Sequence, residues 1–493
     1  MDHPTAPVLT LSTGPLRSGP ELPFQPSLQR DGAGPLAAQL AQQLRTAIQA
    51  GRLPQGTALP SSRSLASQLG VARGTVVEAY SELTLEGYLG SRGGSRTTVQ
   101  AARLPAPVTA PLAPGWLPDT LPVPTDAPLA GTLDFRLGQP TLQTLDRRAW
   151  QRSWQHAARQ LPPNDYGDPA GEQELRAALA AYLGRSRGLP ARPEQLIVTG
   201  GAVQGIGLIA RGLVRPGDRV TIENPGYRLA RTALAESGAE LLSVPVDQDG
   251  LVVEQLPAAR LVYVTPSHQY PLAVRMSAAR RLALLAWAEQ HDALIIEDDY
   301  DSEYRYGAPP LPTLASLDRS GRVLYLGTLS KVLTPALRLG YLMASPALLP
   351  ALLRQKVLAD SGSAWPVQVA VTHLLQQGDL DRHIRRTRRH YRMLSALLHQ
   401  QLAPLAPLAR LGGIEAGLHA CLHLSAPLKA QQIAAVCLER GVRVSTLDSY
   451  TQGPAPQALL LGYGGLTVRE LLEGAAVVVW AVRQAAGLLP SQA

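Results

Sequence analysis

Apolar residues recur along this chain at two different periods, and the change from one to the other divides it. Leu36, Leu40, Leu44 and Ile48 stand about one helical turn apart, so the segment from Pro35 opens with an amphipathic helix ending near Gly51. In Leu59-Pro-Ser-Ser-Arg63-Ser-Leu-Ala-Ser-Gln-Leu-Gly70, Ser61 or Ser62 caps a short helix and Gly70 stops it. A third helix begins just beyond that turn, within Val71-Ala-Arg73-Gly-Thr75 and the residues up to Gly87, and Tyr88 to Val99 reads as a small hairpin turning at Gly93-Gly94. Two helices joined so tightly fit a helix-turn-helix, and a following hairpin fits a wing; an ordinary helical hairpin is the alternative.

Residues 101–131 carry Pro105, Pro107, Pro111, Pro114, Pro118, Pro122, Pro124 and Pro128, a density that favours an extended, semi-rigid linker. From about Glu194 to Leu342 short apolar runs of strand type alternate with helical patterns. That alternation predicts an α/β unit with a mostly parallel sheet and helices on its faces. At 493 residues the chain exceeds the roughly 250 to 300 at which one core stops growing. The expected organisation is a poorly ordered leader over 1–33, a helical DNA-binding unit over 34–99, a linker over 100–131 and a large domain over 132–488. Two cysteines, Cys421 and Cys437, offer no disulfide framework. The N-terminus lacks the basic start and apolar stretch of a signal peptide, and no apolar run approaches the ~20 residues that span a bilayer. A cytoplasmic location and no membrane partner follow as expectations. The net charge of +8 suits a polyanionic partner without saying where the charge lies.

Candidate chemistry begins with a scarce residue. The 46 lysines and arginines include only three lysines, Lys331, Lys356 and Lys429. Lys331 follows an apolar run and a turn in Tyr325-Leu-Gly-Thr328-Leu-Ser330-Lys331, with Arg338 seven residues on. A desolvated lysine amine forms a Schiff base with a carbonyl, while Thr328, Ser330 and Arg338 suit a phosphate, so the segment fits a phosphorylated aldehyde such as pyridoxal 5'-phosphate (PLP). It resembles the lysine motif of the fold type I aminotransferases. Upstream, the strand Ala293-Leu-Ile-Ile-Glu-Asp298 ends in carboxylates, and an ionised carboxylate beside a pyridine nitrogen favours the protonated ring. By resemblance Asp298 pairs with that nitrogen and Tyr300 bonds the cofactor's phenolic oxygen. A calcium loop starting at Asp299 fails because Tyr304 stands where the sharp turn needs glycine, and no metal is expected.

In Gln195-Leu-Ile-Val-Thr-Gly200-Gly201-Ala202 a strand runs into glycines and then a helix, where backbone amides can hold phosphate. A nucleotide-binding loop is weak there, because Ile206 and Gly207 occupy the places of Lys and Ser/Thr. The resemblance makes Gly200, Gly201 and Ala202 the phosphate cup, with Gly200 replacing the usual serine. It also stacks Tyr227 of Glu223-Asn-Pro-Gly-Tyr227 on the ring, brings Gln269 and Tyr270 past the phenolic oxygen, and has Tyr166 reach the phosphate from the partner subunit of a homodimer. The helical block before the linker closely resembles the GntR-type winged helix, which implies that Arg63, Arg73, Thr75, Arg92 and Arg96 contact double-stranded promoter DNA.

Together, the order winged helix, linker and aminotransferase-like domain resembles the MocR family of bacterial transcriptional regulators. That resemblance implies a PLP-binding, DNA-binding homodimer, often head-to-tail, whose effector is PLP itself or a small amino compound, with vitamin B6 synthesis among the processes such regulators control. Two alternatives remain: an active PLP-dependent aminotransferase with an accessory DNA-binding domain, and a DNA-binding protein whose second domain is a dimerisation scaffold. Leu460 stands about where aminotransferases carry the arginine that clamps a substrate carboxylate, which favours a regulator over a working enzyme; Arg443 is the possible substitute.

Overall fold

A computed structural model describes residues 21–30, 34–90, 96–100, 131–306 and 311–488. The chain divides into two compact units, Met1–Asp119 and Thr120–Ala493.

In the first unit, α1 (Leu36–Gln49), α2 (Ser62–Leu69) and α3 (Arg73–Leu85) are followed by the paired strands β1 (Leu89–Gly90) and β2 (Thr98–Val99). Ser61 caps α2 by accepting from the Ser64 amide, and Gly70 ends it in the left-handed conformation that glycine adopts without strain. Leu40, Leu44 and Ile48 of α1 meet Leu65 of α2 and Val76, Ala79 and Leu83 of α3 in one core. Each such buried aliphatic side chain contributes about 1.5–3 kcal/mol relative to exposure. Arg45 of α1 reaches Glu82 and Glu86 of α3 at 2.8 and 2.6 Å, fixing the two helices at their solvent side. Residues 21–30 fall in the stretch expected to be a loose leader, yet Leu22, Phe24 and Leu28 pack on this core and Gln39 and Gln43 bond the backbone of Gln29 and Ser27. The apolar spacing of three residues in ten lacks a helical or strand period, so pattern reading passes over it.

The second unit begins with β3 (Leu133–Asp134), then two helices, α4 (Arg147–Arg159) and α5 (Gln173–Arg187). Its main sheet takes β4 (Leu196–Thr199), β5 (Arg219–Asn224), β6 (Glu240–Asp247), β7 (Gly250–Leu251), β8 (Leu261–Val264), β9 (Leu294–Asp299), β10 (Val323–Thr328) and β11 (Gly340–Met343), in the spatial order β4-β11-β10-β9-β8-β5-β6-β7. Only β11 and the hairpin strand β7 run against the rest, so the expected mostly parallel sheet is present. Its strands β4, β8, β10 and β11 are buried along their whole length because both faces are covered. On one side Ile197, Ile222, Ile296, Leu324 and Leu326 pack with Ile206 and Ile209 of α6 (Ala202–Leu213), and on the other Leu196, Val198, Tyr325 and Tyr341 pack with Leu175, Leu179 and Leu183 of α5. A four-stranded antiparallel sheet over Ala409–Gly412, His419–Leu424, Ser445–Thr446 and Ala458–Gly462 builds a second core with Phe135, Tyr391 and the helix Val468–Ala485.

That second core is tightly closed around Phe135, since a Cβ added at Gly474 would lie 2.3 Å from the Phe135 ring. Gly474→Ala should therefore lower the stability of the larger unit by about 1–3 kcal/mol through overpacking, read as a lower unfolding midpoint in urea with the winged-helix transition unmoved.

Candidate cofactor site and DNA-binding surface

Five strands of one direction place their carboxyl ends together, and each delivers a side chain to one cavity of about 160 Å³. Its lining includes Ala202 after β4, Tyr227 after β5, Tyr263 in β8 with Thr265 and Tyr270 after it, Asp298 in β9 with Tyr300 after it, and Thr328, Ser330, Lys331 and Arg338 after or at the end of β10. The Lys331 amine donates to the Gly138 carbonyl at 2.8 Å. Burial pushes its pKa down, partly offset by Asp301 and Asp298, which favours the neutral nucleophilic amine. Gly138 has φ +74, and a Cβ there would sit 2.7 Å from that amine, so only glycine lets the backbone approach.

The acidic run that ends β9 and continues beyond it separates into groups with different partners. Glu297 accepts from the amides of Leu314 and Ala315, which open the helical turn Leu314–Leu317. Asp299 pairs with Arg187 at 2.8 Å and accepts from Tyr325 at 2.6 Å; burial alone would raise its pKa, but Arg187 and these hydrogen bonds hold it below the usual carboxylate range. Glu303 accepts from Tyr182 at 2.7 Å. Of the four, Asp298 is the one that lines the cavity. Its Oδ2 accepts from Tyr263 at 2.7 Å, while its buried Oδ1 has no partner, and burial raises its pKa to about 7. A buried acceptor left unsatisfied beside a cavity is what a protonated ring nitrogen would complete, so the residues present fit a pyridoxal group.

The phosphate end is equally ordered. Gly201, with φ +105, precedes the first turn of α6, and a Cβ there would come 3.4 Å from the Arg338 guanidinium. Thr328 donates to Ser330 at 3.0 Å and accepts from its amide at 3.1 Å, gathering both hydroxyls below the helix end. Beside Gly200, Gln204 accepts from the Gly200 amide at 2.7 Å and from buried Lys356 at 3.2 Å. This fills the place where the resemblance implied a serine. Among the aromatic residues, Tyr270 meets Tyr227 and Tyr300 edge-on, with centroids 5.4 and 5.8 Å apart. Gln269 is placed differently from its neighbours: its amide bonds Glu223, the carbonyls of Pro225 and Tyr270, and the Leu272 amide, and it does not line the cavity. Tyr166 lies exposed. Leu460 is fully buried beside Leu272, Cys421 and Tyr450, and Arg443 lines a separate cleft with Arg228, Ser445 and Ser449. Sequence reading missed Gly138, Tyr263 and Thr265, since strand position alone does not show which side chain ends beside Lys331.

In the winged helix, Arg63, Arg73 and Arg96 are exposed and Thr75 is half-buried. Arg92 lies outside the described residues. Val77, 44% exposed on α3 and not singled out from sequence, adds an apolar group to the same helix. Among the described residues, no helix is long and apolar enough to cross a membrane.

A winged helix and a fold type I aminotransferase domain in one chain define a DNA-binding regulator built on an enzyme scaffold. The family of aminotransferases class I and II matches residues 132–475, and the gntR family of bacterial regulatory proteins matches 36–99. The chain is 36% identical to the probable rhizopine catabolism regulatory protein MocR of Rhizobium meliloti, over 91% of this chain and 94% of that protein. It is 38% identical to the pyridoxine biosynthesis transcriptional regulator PdxR of Corynebacterium glutamicum, over 87% and 92%. Among solved structures, LysN, an α-aminoadipate aminotransferase of Thermus thermophilus complexed with N-(5'-phosphopyridoxyl)-L-leucine, superposes with a TM-score of 0.67 at 26% identity, covering 73% of this chain and 94% of that one. The chain belongs to the MocR family of GntR-type transcriptional regulators.

Because Asp298 has a folded-state pKa near 7 against its ordinary 3.8, the folded protein holds a proton there more tightly than the unfolded chain. Its contribution to stability is full below about pH 4 and is lost as pH rises toward about 7. Asp298→Asn should flatten that part of the stability profile of cofactor-free protein, checked by urea midpoints across a pH series; an unchanged slope would contradict the assigned shift.

Proposed function

We propose that this regulator binds pyridoxal 5'-phosphate through Lys331 and couples that binding, or the capture of an amino ligand, to its affinity for promoter DNA. The observation that carries the reading is the unpartnered Oδ1 of buried Asp298, set in the same cavity as an amine whose pKa is lowered. When bound, the cofactor supplies an aldehyde carbon that a neutral amine can capture covalently. Lys331 provides that amine, Asp298 holds the ring nitrogen's proton, Tyr300 donates to the phenolic oxygen and Tyr227 covers the ring. Thr328, Ser330, Arg338 and the amides at Gly201 and Ala202 take the phosphate, with Tyr166 of a second subunit completing it in a homodimer. Gln269 supports the loop that carries Tyr270 rather than touching the cofactor. Arg63, Arg73, Thr75, Arg92, Arg96 and Val77 form the DNA-facing set, in a cytoplasmic protein.

A regulatory role is favoured over turnover by Leu460, whose buried side chain cannot form the paired hydrogen bonds that hold a substrate carboxylate. The relative named for pyridoxine biosynthesis supports vitamin B6 synthesis as the controlled process. An active aminotransferase is the second reading, favoured by the intact lysine, carboxylate and tyrosine set around the cavity. It predicts release of a keto acid from an added amino acid.

Titration with pyridoxal 5'-phosphate, followed by visible absorbance and by mobility shift on DNA from upstream of its own gene, tests both halves. Lys331→Ala should abolish the borohydride-reducible adduct, and a reducible adduct surviving in that variant would refute the assignment. Arg73→Ala should weaken DNA binding by about 1–3 kcal/mol, roughly 5- to 150-fold, with cofactor binding intact; unchanged DNA affinity would remove Arg73 from the contact set.

A further inference from the structure

Behind the cavity wall lies a buried hydrogen-bonded chain that the reading above does not use. His268 Nδ1 is 3.0 Å from the Tyr300 hydroxyl and 2.8 Å from Asp301 Oδ2, with His268 and Asp301 only 3% and 1% exposed. His268 Nε2 is buried without a hydrogen-bond partner, and the His419 ring packs against it at 4.8 Å. The backbone of Gly417 closes the cluster, since a Cβ there would stand 2.1 Å from the His268 ring and 2.6 Å from Asp301. A carboxylate offers only lone pairs, so an Nδ1 bonded to it must carry the ring proton. The same N–H then faces the Tyr300 oxygen, which can only accept from it. The Tyr300 hydroxyl hydrogen is thereby turned away from His268, and Tyr300 lines the cavity.

We propose that His268, held in its Nδ1–H form by Asp301, is a positioning residue that directs the Tyr300 proton into the cofactor cavity. This rests on the cofactor reading for its consequence, but the tautomer exists in the protein alone. Burial, reinforced by Asp301, keeps the Tyr300 phenol well above its ordinary pKa, so the proton is there to be directed. Burial and then His268 push His419 well below its ordinary value, so it faces His268 as a neutral ring. The other titratable groups facing the cluster are Asp298, Lys331 and Tyr270, which line the cavity, and, away from it, buried Glu223 beside Tyr300 and the phenols Tyr304, Tyr306, Tyr391 and Tyr463 beside Asp301. His268, Asp301 and His419 also place possible metal-ligating atoms within 4.8 Å of one another. The 2.8 Å approach of His268 to Asp301, however, is shorter than the roughly 3.3 Å kept by two ligands about 2.05 Å from a tetrahedral ion.

A hydroxyl donating to the cofactor's phenolic oxygen would withdraw electron density from it, and weakening that donation would raise the proton affinity of the bound group. In His268→Phe the pH midpoint of the visible band of Lys331-bound cofactor should therefore rise by about one unit, tenfold in proton affinity. The isosteric Asp301→Asn should shift it in the same direction, and His268→Asn, whose amide can replace the Nδ1 donor, should restore it. If His268→Phe does not fold, Asp301→Asn carries the comparison. Nitrogen-15 NMR of histidine-labelled, cofactor-free protein reads the tautomer directly, with the proton expected on Nδ1 of His268 and displaced from it in Asp301→Asn. A proton on Nε2 in the wild type, or an unmoved midpoint in both well-folded variants, overturns the proposal. A wild type with the Nδ1–H tautomer but no reducible adduct would instead overturn the cofactor reading.

Discussion

A carboxyl group with one satisfied oxygen is the constraint around which the larger unit is arranged. Leaving a buried acceptor unpaired costs about 1–3 kcal/mol, and a buried charge costs more. Asp298 is in that condition; Asp299 Oδ1 and Glu303 Oε2 share it, but their other oxygens meet Arg187, Tyr325 and Tyr182 and neither residue lines the cavity, while Glu297 accepts from two backbone amides. Without those pairings the run of carboxylates would repel itself. Of the unmet oxygens in this run, the one on Asp298 belongs to the residue that lines the cavity. The raised pKa of Asp298 expresses this tension, and a cationic ring nitrogen would relieve it.

The same economy explains the position of Lys331. A lysine amine in this setting loses hydration, and Asp298 and Asp301 only partly restore its preference for charge. Its hydrogen bond is to the carbonyl of Gly138, a residue 193 positions away, so the amine is held in place by backbone rather than by a counter-ion. Holding it with a carboxylate at contact distance would have fixed the ammonium form, which is no nucleophile. The parallel sheet makes the arrangement available, because its strands end at one edge and their following turns carry the reactive groups.

This division also explains what was readable from the chain. The winged helix was legible because its caps and apolar spacing are local: Ser61 and Gly70 act within a few residues of the helix they bound. The groups contributed by a strand end and its turn, Asp298, Thr328, Ser330 and Lys331, were legible for the same reason. Gly138 and Tyr263 were not, since their meeting with Lys331 and Asp298 depends on strand order and register, which tertiary packing decides. Gln269 shows the opposite failure. A residue adjacent in sequence to a site residue has its side chain turned to the loop's own backbone, while Thr265, four residues earlier, faces the cavity. Docking of Leu22, Phe24 and Leu28 was invisible because an irregular strap has no period to detect.

The energetic demand on a coupled regulator of this kind is modest. A ligand moves DNA affinity only by the difference in its binding to two conformers, and about 1.4 kcal/mol of difference gives a tenfold change. Satisfying Asp298 Oδ1 alone is of that order, because it removes the cost of a buried unpaired acceptor. Such a gain counts toward regulation only if one conformer presents the oxygen to the cofactor better than the other. The segment best placed to differ is the one after β9, where a single turn carries Tyr300 to His268, Asp301 to His268 and Glu303 to Arg187. A shift of that turn would disturb the cavity wall at Tyr300 and the ion pair of Glu303 to Arg187 of α5 together.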